Sequence, residues 1–571
     1  MKLDFEHVFL AVFMVIFLAT GMGVYEQKLS HEFPVGYFAS DAFFHQAEAT
    51  YMTEQGKVKY ASPAIVGGRT DVYDIHPPFT FAAVGPLAIA SGLKVYDLMY
   101  LFIILLLLLI TLLMYAIIRQ YNRNVAMMSI PISLLVFTFP FNQMIGFGQW
   151  LFVPGALFMI AMMWATTMID NKKSFIVLGL FGAATALAHQ PELFFAAIFC
   201  VIIIIIKIVN SKNPKLLIPA IGAGAFAFIL SAYSLNIFRI TWLHTLFQDY
   251  KIGLTADEGV AARGFTDITF STLGFGLTGA VLIGTLIVAG IAITILLIVT
   301  KKKQVVPGEI GIFILIISLL TFLGFSKRAF AHRWLWHIYF GFFFGLALYY
   351  GLKMLIKNWK TAYSAGIALI LTVLFASSSF GQTHGSLVDK NSWEAMEWLS
   401  QNSAQDKIIY VFDAGRMQQS SILYNTKRVT RPIRVQAYEA AFKEQSGRDI
   451  KTIEDLKLAK EMEFGLSFGY VELVCGGPFQ FGYYKTYFKS QGGQCEQNYG
   501  EAVLPKFSTK ICDMDYYYLN VIAERKGLEF VAAYNQALAN RLLKNSWIKK
   551  EYSNAAIMIL KNEKPGEECL A

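Results

Sequence analysis

Through the first 380 residues the chain runs in apolar blocks, each continuous enough to read as a helix rather than as a half-buried face. The blocks lie at 8–24, 96–118, 125–139, 150–168, 175–188, 193–209, 216–235, 274–299, 308–325, 334–352 and 361–378. They predict about eleven helices crossing a hydrocarbon core of about 30 Å. Lipid cannot satisfy backbone amides, which leaves the helix as the conformation of each block. From about residue 386 the pattern changes, with shorter hydrophobic blocks and frequent charges. NSWEAMEWLSQNS predicts an amphipathic helix capped by Asn391 or Ser392, and KIIYVFDAG predicts a buried strand ending in a turn. YVELVCGG, FVAAYNQALANRLL and AAIMILKN continue a mixed pattern of strands and helices. The expected architecture is a polytopic α-helical membrane domain over 1–380, with a long first outer loop at 25–95, and a C-terminal extracytoplasmic α/β domain over 386–571.

Orientation follows from the basic loops. If the first block runs outward, Arg119 and Arg123, Lys172 and Lys173, the lysines of 207–215, those of 301–303 and those of 357–360 all face the cytoplasm. This parity requires 79–92, interrupted by Pro86, to be a half-buried or re-entrant helix, because a full crossing there would invert every later loop. The first block reads as an uncleaved anchor. A secretory signal would use the small residues near Ala19 and Gly21, but the only early cation is Lys2, opposed by Asp4 and Glu6, and no A-x-A site follows.

Composition agrees with a bilayer as the main solvent: 55% hydrophobic, 16% charged, mean hydropathy +0.47. The excess of 49 Lys+Arg over 40 Asp+Glu is explained by the cytoplasmic loops, so no nucleic-acid partner is expected. Cys200 lies in a span and reads as a small apolar residue. Cys475, Cys495, Cys512 and Cys569 fall in the outer domain, where disulfides are expected, and spacing leaves their pairing open.

The first outer loop carries two polar clusters. If SDAFFHQAEATYM is helical, Asp41, His45 and Glu48 share one face and Phe44, Ala47, Tyr51 and Met52 the neighbouring one, giving an interfacial helix with a polar edge. Alternatively Ser40 or Asp41 caps the helix while His45 and Glu48 are solvated. Further on, Asp71, Asp74 and His76 precede Pro77 and Pro78, whose fixed φ angles stiffen the approach to the next apolar helix.

An acidic residue early in a long first outer loop, a following amphipathic helix, and YDIHPP leading into a membrane-surface helix resemble the GT-C glycosyltransferases, including protein mannosyltransferases and aminoarabinose transferases. The resemblance covers roughly residues 1–380. GFGQW, with Gln149, is similar to a segment of the polyprenol-dependent mannosyltransferases. What the resemblance implies is a multi-pass transferase of the cell membrane with its site outside the cytoplasm. Its donor would be a polyprenyl-phosphate-linked sugar, its acceptor an unidentified protein, glycan or lipid, and Asp41 the base that deprotonates the acceptor hydroxyl. The departing lipid phosphate needs cations, and SKRAFAHRWLWH supplies Lys327, Arg328, His332, Arg333 and His337, with Arg333 the preferred residue. Alternatively the cations of this strip snorkel to headgroups and Trp334 and Trp336 are belt anchors. His45, Glu48, Asp74, His76 and Gln149 are cavity candidates, as are His189 and Glu192 of HQPELF, which otherwise reads as a helix break and cap around Pro191. The loop 236–271 is long enough to cover a substrate, but no spacing in it marks a ligand set.

The chain departs from the oligosaccharyltransferases of the same class. It lacks a W-W-D-Y-G motif, and PFNQMIGFGQW contains no carboxylate, so neither a metal site nor another cofactor is expected. Two other classes stay open: a lipid-linked-sugar transporter, and a non-catalytic membrane assembly or lipid-binding protein on the same scaffold.

Overall fold

A computed structural model of the chain describes residues 4–26, 28–37, 40–56, 62, 77–138, 142–169, 174–249, 276–300, 313–314, 334–356, 358, 386–404, 406–413, 426, 428–434, 511–523 and 529–569. They fall into two compact units: Met1–Ser30, Pro77–Leu87 and Ser91–His384 form the first, and His31–His76, Ala88–Ala90 and Gly385–Ala571 the second. The central part of the expected first outer loop, 31–76, therefore groups with the C-terminal residues.

The first unit is helical: α1 (Phe5–Val24), α3 (Phe79–Ser91), α4 (Val95–Arg119), α5 (Arg123–Ser129), α6 (Gln143–Phe147), α7 (Phe152–Thr167), α8 (Ser174–Ala188), α9 (Gln190–Ser211), α10 (Leu217–Asp249), α11 (Gly276–Thr300) and α12 (Trp336–Leu355). α2 (Ser40–Gln55) belongs to the second unit. Among the described residues, five helical segments are long and apolar enough to cross a membrane: Phe5–Val24, Val95–Arg119, Gln190–Val209, Pro214–Ala232 and Trp336–Leu355. The block 125–139 is not one α-helix. α5 stops at Ser129 and the chain continues as a 3₁₀-helix, Ile130–Phe137, because Pro131 cannot donate an i→i−4 hydrogen bond. The expected spans 308–325 and 361–378 lie outside the described residues apart from 313–314.

α1 and α4 pair end to end in opposite directions. At one end buried Glu6 accepts from the Tyr115 hydroxyl and the Arg119 guanidinium, and Arg123 meets Asp4. At the other, the Tyr25 hydroxyl donates to Asp97 Oδ1 at 2.5 Å. α9 shows why uniformly apolar blocks suit lipid: Ala196, Phe199 and Cys200 are buried, while Ile198, Val201, Ile202, Ile205 and Val209 form an exposed stripe at helical spacing.

In the second unit, α13 (Lys390–Asn402) is capped by Asp389, whose carboxylate accepts from Ser392 N. The predicted caps Asn391 and Ser392 lie inside that helix, because Asp389 is the residue in extended conformation ahead of it. β1 (Ile408–Asp413), β2 (Val429–Arg434), β3 (Tyr516–Asn520), β4 (Ile548–Ser553) and β5 (Ile557–Asn562) form one sheet in the order β2-β1-β3-β5-β4. β1 is parallel to both β2 and β3, whereas β5 is antiparallel to β3 and β4. α14 (Glu529–Leu542) places Val531, Leu538 and Leu542 in a core with Tyr410, Tyr517 and Leu560. Arg428, buried, donates to the carbonyls of Ser400 and Ser403 and so satisfies the C-terminus of α13.

Cys512 and Cys569 form a disulfide with Cα atoms 5.4 Å apart, settling one pairing that spacing left open, while Cys475 and Cys495 lie outside the described residues. Closing a loop of 57 residues restrains the unfolded chain by about 4 kcal/mol. Cys512→Ser combined with Cys569→Ser is expected to lower the unfolding temperature of this unit by several degrees, with limited proteolysis reporting its earlier opening. An unchanged transition would remove the disulfide from the stability of this unit.

Candidate functional site

The sequence HQPE builds its own local geometry. His189 leaves α8 in an extended conformation (φ −163°, ψ 128°) while its N–H still donates to Thr185 O at 2.9 Å. α9 starts at Gln190, and Pro191 occupies the first turn, where a missing N–H costs nothing. Glu192 follows in the same turn, close to the partial positive charge of the helix N-terminus. Its Oε2 bonds His189 Nδ1. Glu192 is fully buried, and the His189 side chain retains 16% exposure.

Helix α7 closes against this pair. A Cβ on Gly155 of α7 would stand 2.7 Å from His189 Cβ and 3.0 Å from Glu192 Oε2, so the glycine is what lets α7 approach. Tyr339 of α12 is fully buried. An imidazole tied through Nδ1 to a carboxylate has a fixed orientation, and its other nitrogen can then exchange a proton with a bound group.

A second buried carboxylate escaped the sequence reading. Asp97, in the first turn of α4, is fully buried with Tyr25, whose ring stacks on Tyr100 at 4.2 Å. The available signal was an acidic residue inside an otherwise apolar block. Gln149 follows α6, which Gly148 ends in the left-handed conformation (φ 81°). The Gln149 N–H closes that turn on Met144 O, and its side chain is half-buried.

α2 differs from the expected interfacial helix. Asp41 is half-buried in its first turn, but His45 is 8% and Glu48 1% exposed, so no solvated polar edge runs along it. The reason is a partner distant in sequence: both Glu48 oxygens accept from Ser62 N, at 3.1 and 3.3 Å. Burial, together with the Glu48 and Glu54 charges, pushes the nearby Tyr51 hydroxyl above its usual pKa. His337 and Trp336 are also buried rather than presented to headgroups. Asp71, Asp74, His76, Lys327, Arg328, His332 and Arg333 lie outside the described residues; of the expected 236–271 loop, 236–249 continue α10 instead and the remainder lies outside them.

The chain resembles several solved membrane proteins. The apo oligosaccharyltransferase of Archaeoglobus fulgidus matches 93% of this chain and 71% of its own, with TM-score 0.53 and 11% identity. ArnT from Cupriavidus metallidurans bound to undecaprenyl phosphate matches 97% of both chains, with TM-score 0.51 and 9% identity. The fold of this chain is similar to that of both proteins. The arabinofuranosyltransferase AftD from Mycobacteria is similar over 98% of the present chain and 40% of its own, with TM-score 0.50 and 10% identity. At such identities the likeness is one of fold. No family model and no curated protein matches the chain.

Proposed function

We propose that this protein is a membrane glycosyltransferase that moves a sugar from a polyprenyl (dolichyl-type) phosphate to an extracytoplasmic acceptor. The observation that carries this reading is a fold likeness extending over 97% of both chains to ArnT, a protein solved with undecaprenyl phosphate bound. Asp41 takes the proton of the acceptor hydroxyl, whose oxygen attacks the anomeric carbon. The bond from that carbon to the phosphate oxygen breaks, the lipid phosphate leaves with the electron pair, and the configuration inverts. Lys327, Arg328, His332 and Arg333 offset the phosphate charge, and His45, Glu48, Asp74, His76, Gln149, His189 and Glu192 complete the cavity. The reaction is metal-independent in this reading, which rests on the lack of carboxylates in PFNQMIGFGQW.

The protein spans the cell membrane about eleven times, with 386–571 as an outer α/β domain. The Cys512–Cys569 disulfide supports an oxidising location for that domain. Purified protein incubated with a panel of labelled polyprenyl-phosphate sugars is expected to release or transfer sugar from one of them. Saturable binding without turnover across the panel would replace this reading with that of a lipid-binding assembly protein.

A further inference from the structure

Within the second unit, the segment preceding α2 is tied to the start of α13. Gly36 N–H donates to Ser386 Oγ at 2.8 Å, and Leu387 N–H donates to Tyr37 O at 2.8 Å. Lys390 adds an exposed ion pair with Glu32 at 2.7 Å, worth little by itself. The Tyr37 ring then packs edge-on against Phe43 at 5.3 Å, and both side chains are fully buried. Phe43 is two residues from Asp41 on α2. On the other side, Asn554, between β4 and β5, donates to Asn391 O at 2.8 Å, and Trp398 lies 5.6 Å from Tyr552 of β4. A continuous set of hydrogen bonds and ring contacts therefore runs from the sheet through 386–391 and Tyr37 to the helix that carries Asp41.

Resting on the reading of Asp41 as the base, we infer that the C-terminal domain positions that carboxylate, with Tyr37 and Ser386 as positioning residues. A base works only within hydrogen-bond reach of the proton it abstracts, and a shift of about 1 Å can cost about 10²-fold in rate. Tyr37 supplies the ring that seats Phe43 and the carbonyl that accepts from Leu387. Ser386 holds the backbone at Gly36, which adopts a left-handed φ of 73°. The domain thus serves the reaction centre directly, whatever it does for the acceptor.

The test uses the full chain in detergent or nanodiscs with the donor that supports turnover. Tyr37→Ala is expected to lower kcat about tenfold or more with donor KM within about twofold, and Tyr37→Phe to restore it. Ser386→Ala is expected to give a smaller fall in kcat, recovered by Ser386→Thr. In an Asp41→Asn background, Tyr37→Ala is expected to add no further loss, because a residue acting through Asp41 has nothing left to position. An unchanged kcat in Tyr37→Ala, or an equal loss in the Asp41→Asn background, overturns the inference while leaving Asp41 as base. Wild-type turnover in Asp41→Asn alone overturns the base itself. Should Tyr37→Ala not accumulate in membranes, the Ser386 pair decides, since losing one half-buried hydroxyl leaves the core intact.

Discussion

Replacing Asp41 by Asn is expected to slow sugar transfer by about 10³-fold, within the range that a positioned general base contributes. The amide keeps the size of the carboxylate and can still accept a hydrogen bond, but it cannot hold the acceptor proton at neutral pH. The fold is expected to survive. Asp41 sits in the first turn of α2, where a carboxylate is worth about 0.3–1 kcal/mol against the helix dipole. The helix itself is held by Ala42, Phe43 and Phe44, which are 0%, 0% and 2% exposed. Single-turnover measurements with labelled donor, beside binding of the same donor and formation of the Cys512–Cys569 disulfide, separate lost chemistry from lost structure. Turnover at the wild-type rate would eliminate Asp41 as the base.

Gly290→Leu and Gly345→Leu are expected to prevent the helical unit from assembling. A Cβ at Gly290 of α11 would fall on the backbone of Phe343, with that residue's Cα 2.8 Å away. One at Gly345 of α12 would meet Ser129 Oγ and stand 2.8 Å from Val125 O of α5. Membrane helices gain their association from close packing, which small residues permit. Overpacking costs about 1–3 kcal/mol where side chains can yield, and more is expected here because the obstructing atoms are largely backbone. Gly224→Leu is the control, since a Cβ there meets nothing within 4 Å. The measurement is the yield of monodisperse protein and its unfolding temperature in detergent. If the Gly290 variant melts with the control, the close approach of α11 to α12 is not a source of stability.

The local elements were largely legible because each is governed by neighbours in sequence. The apolar block 96–118 became Val95–Arg119, since α4 needs only its own length and hydropathy to choose the helix. The His189–Glu192 bond was within reach of sequence because the two residues are three apart at a helix start. The break at Pro131 was also written in the chain, but the apolar run concealed it, and a continuous span was expected where an α-helix gives way to a 3₁₀-helix. The polar edge expected along α2 is buried for a different reason: its residues have partners, such as Ser62 for Glu48, that helical periodicity cannot reveal.

The apolar blocks alone set the membrane character of the chain and located most of the described helices, because a bilayer imposes the same demand on every segment separately. Long-range packing was needed to group 31–76 with the C-terminal residues, to pair Cys512 with Cys569 and to bury Asp97 against Tyr25. The same packing brings Gly155 of α7 against Glu192. Those choices depend on shape and hydrogen-bond complementarity between residues far apart in the chain, which leave no period, cap or composition for a linear reading to find.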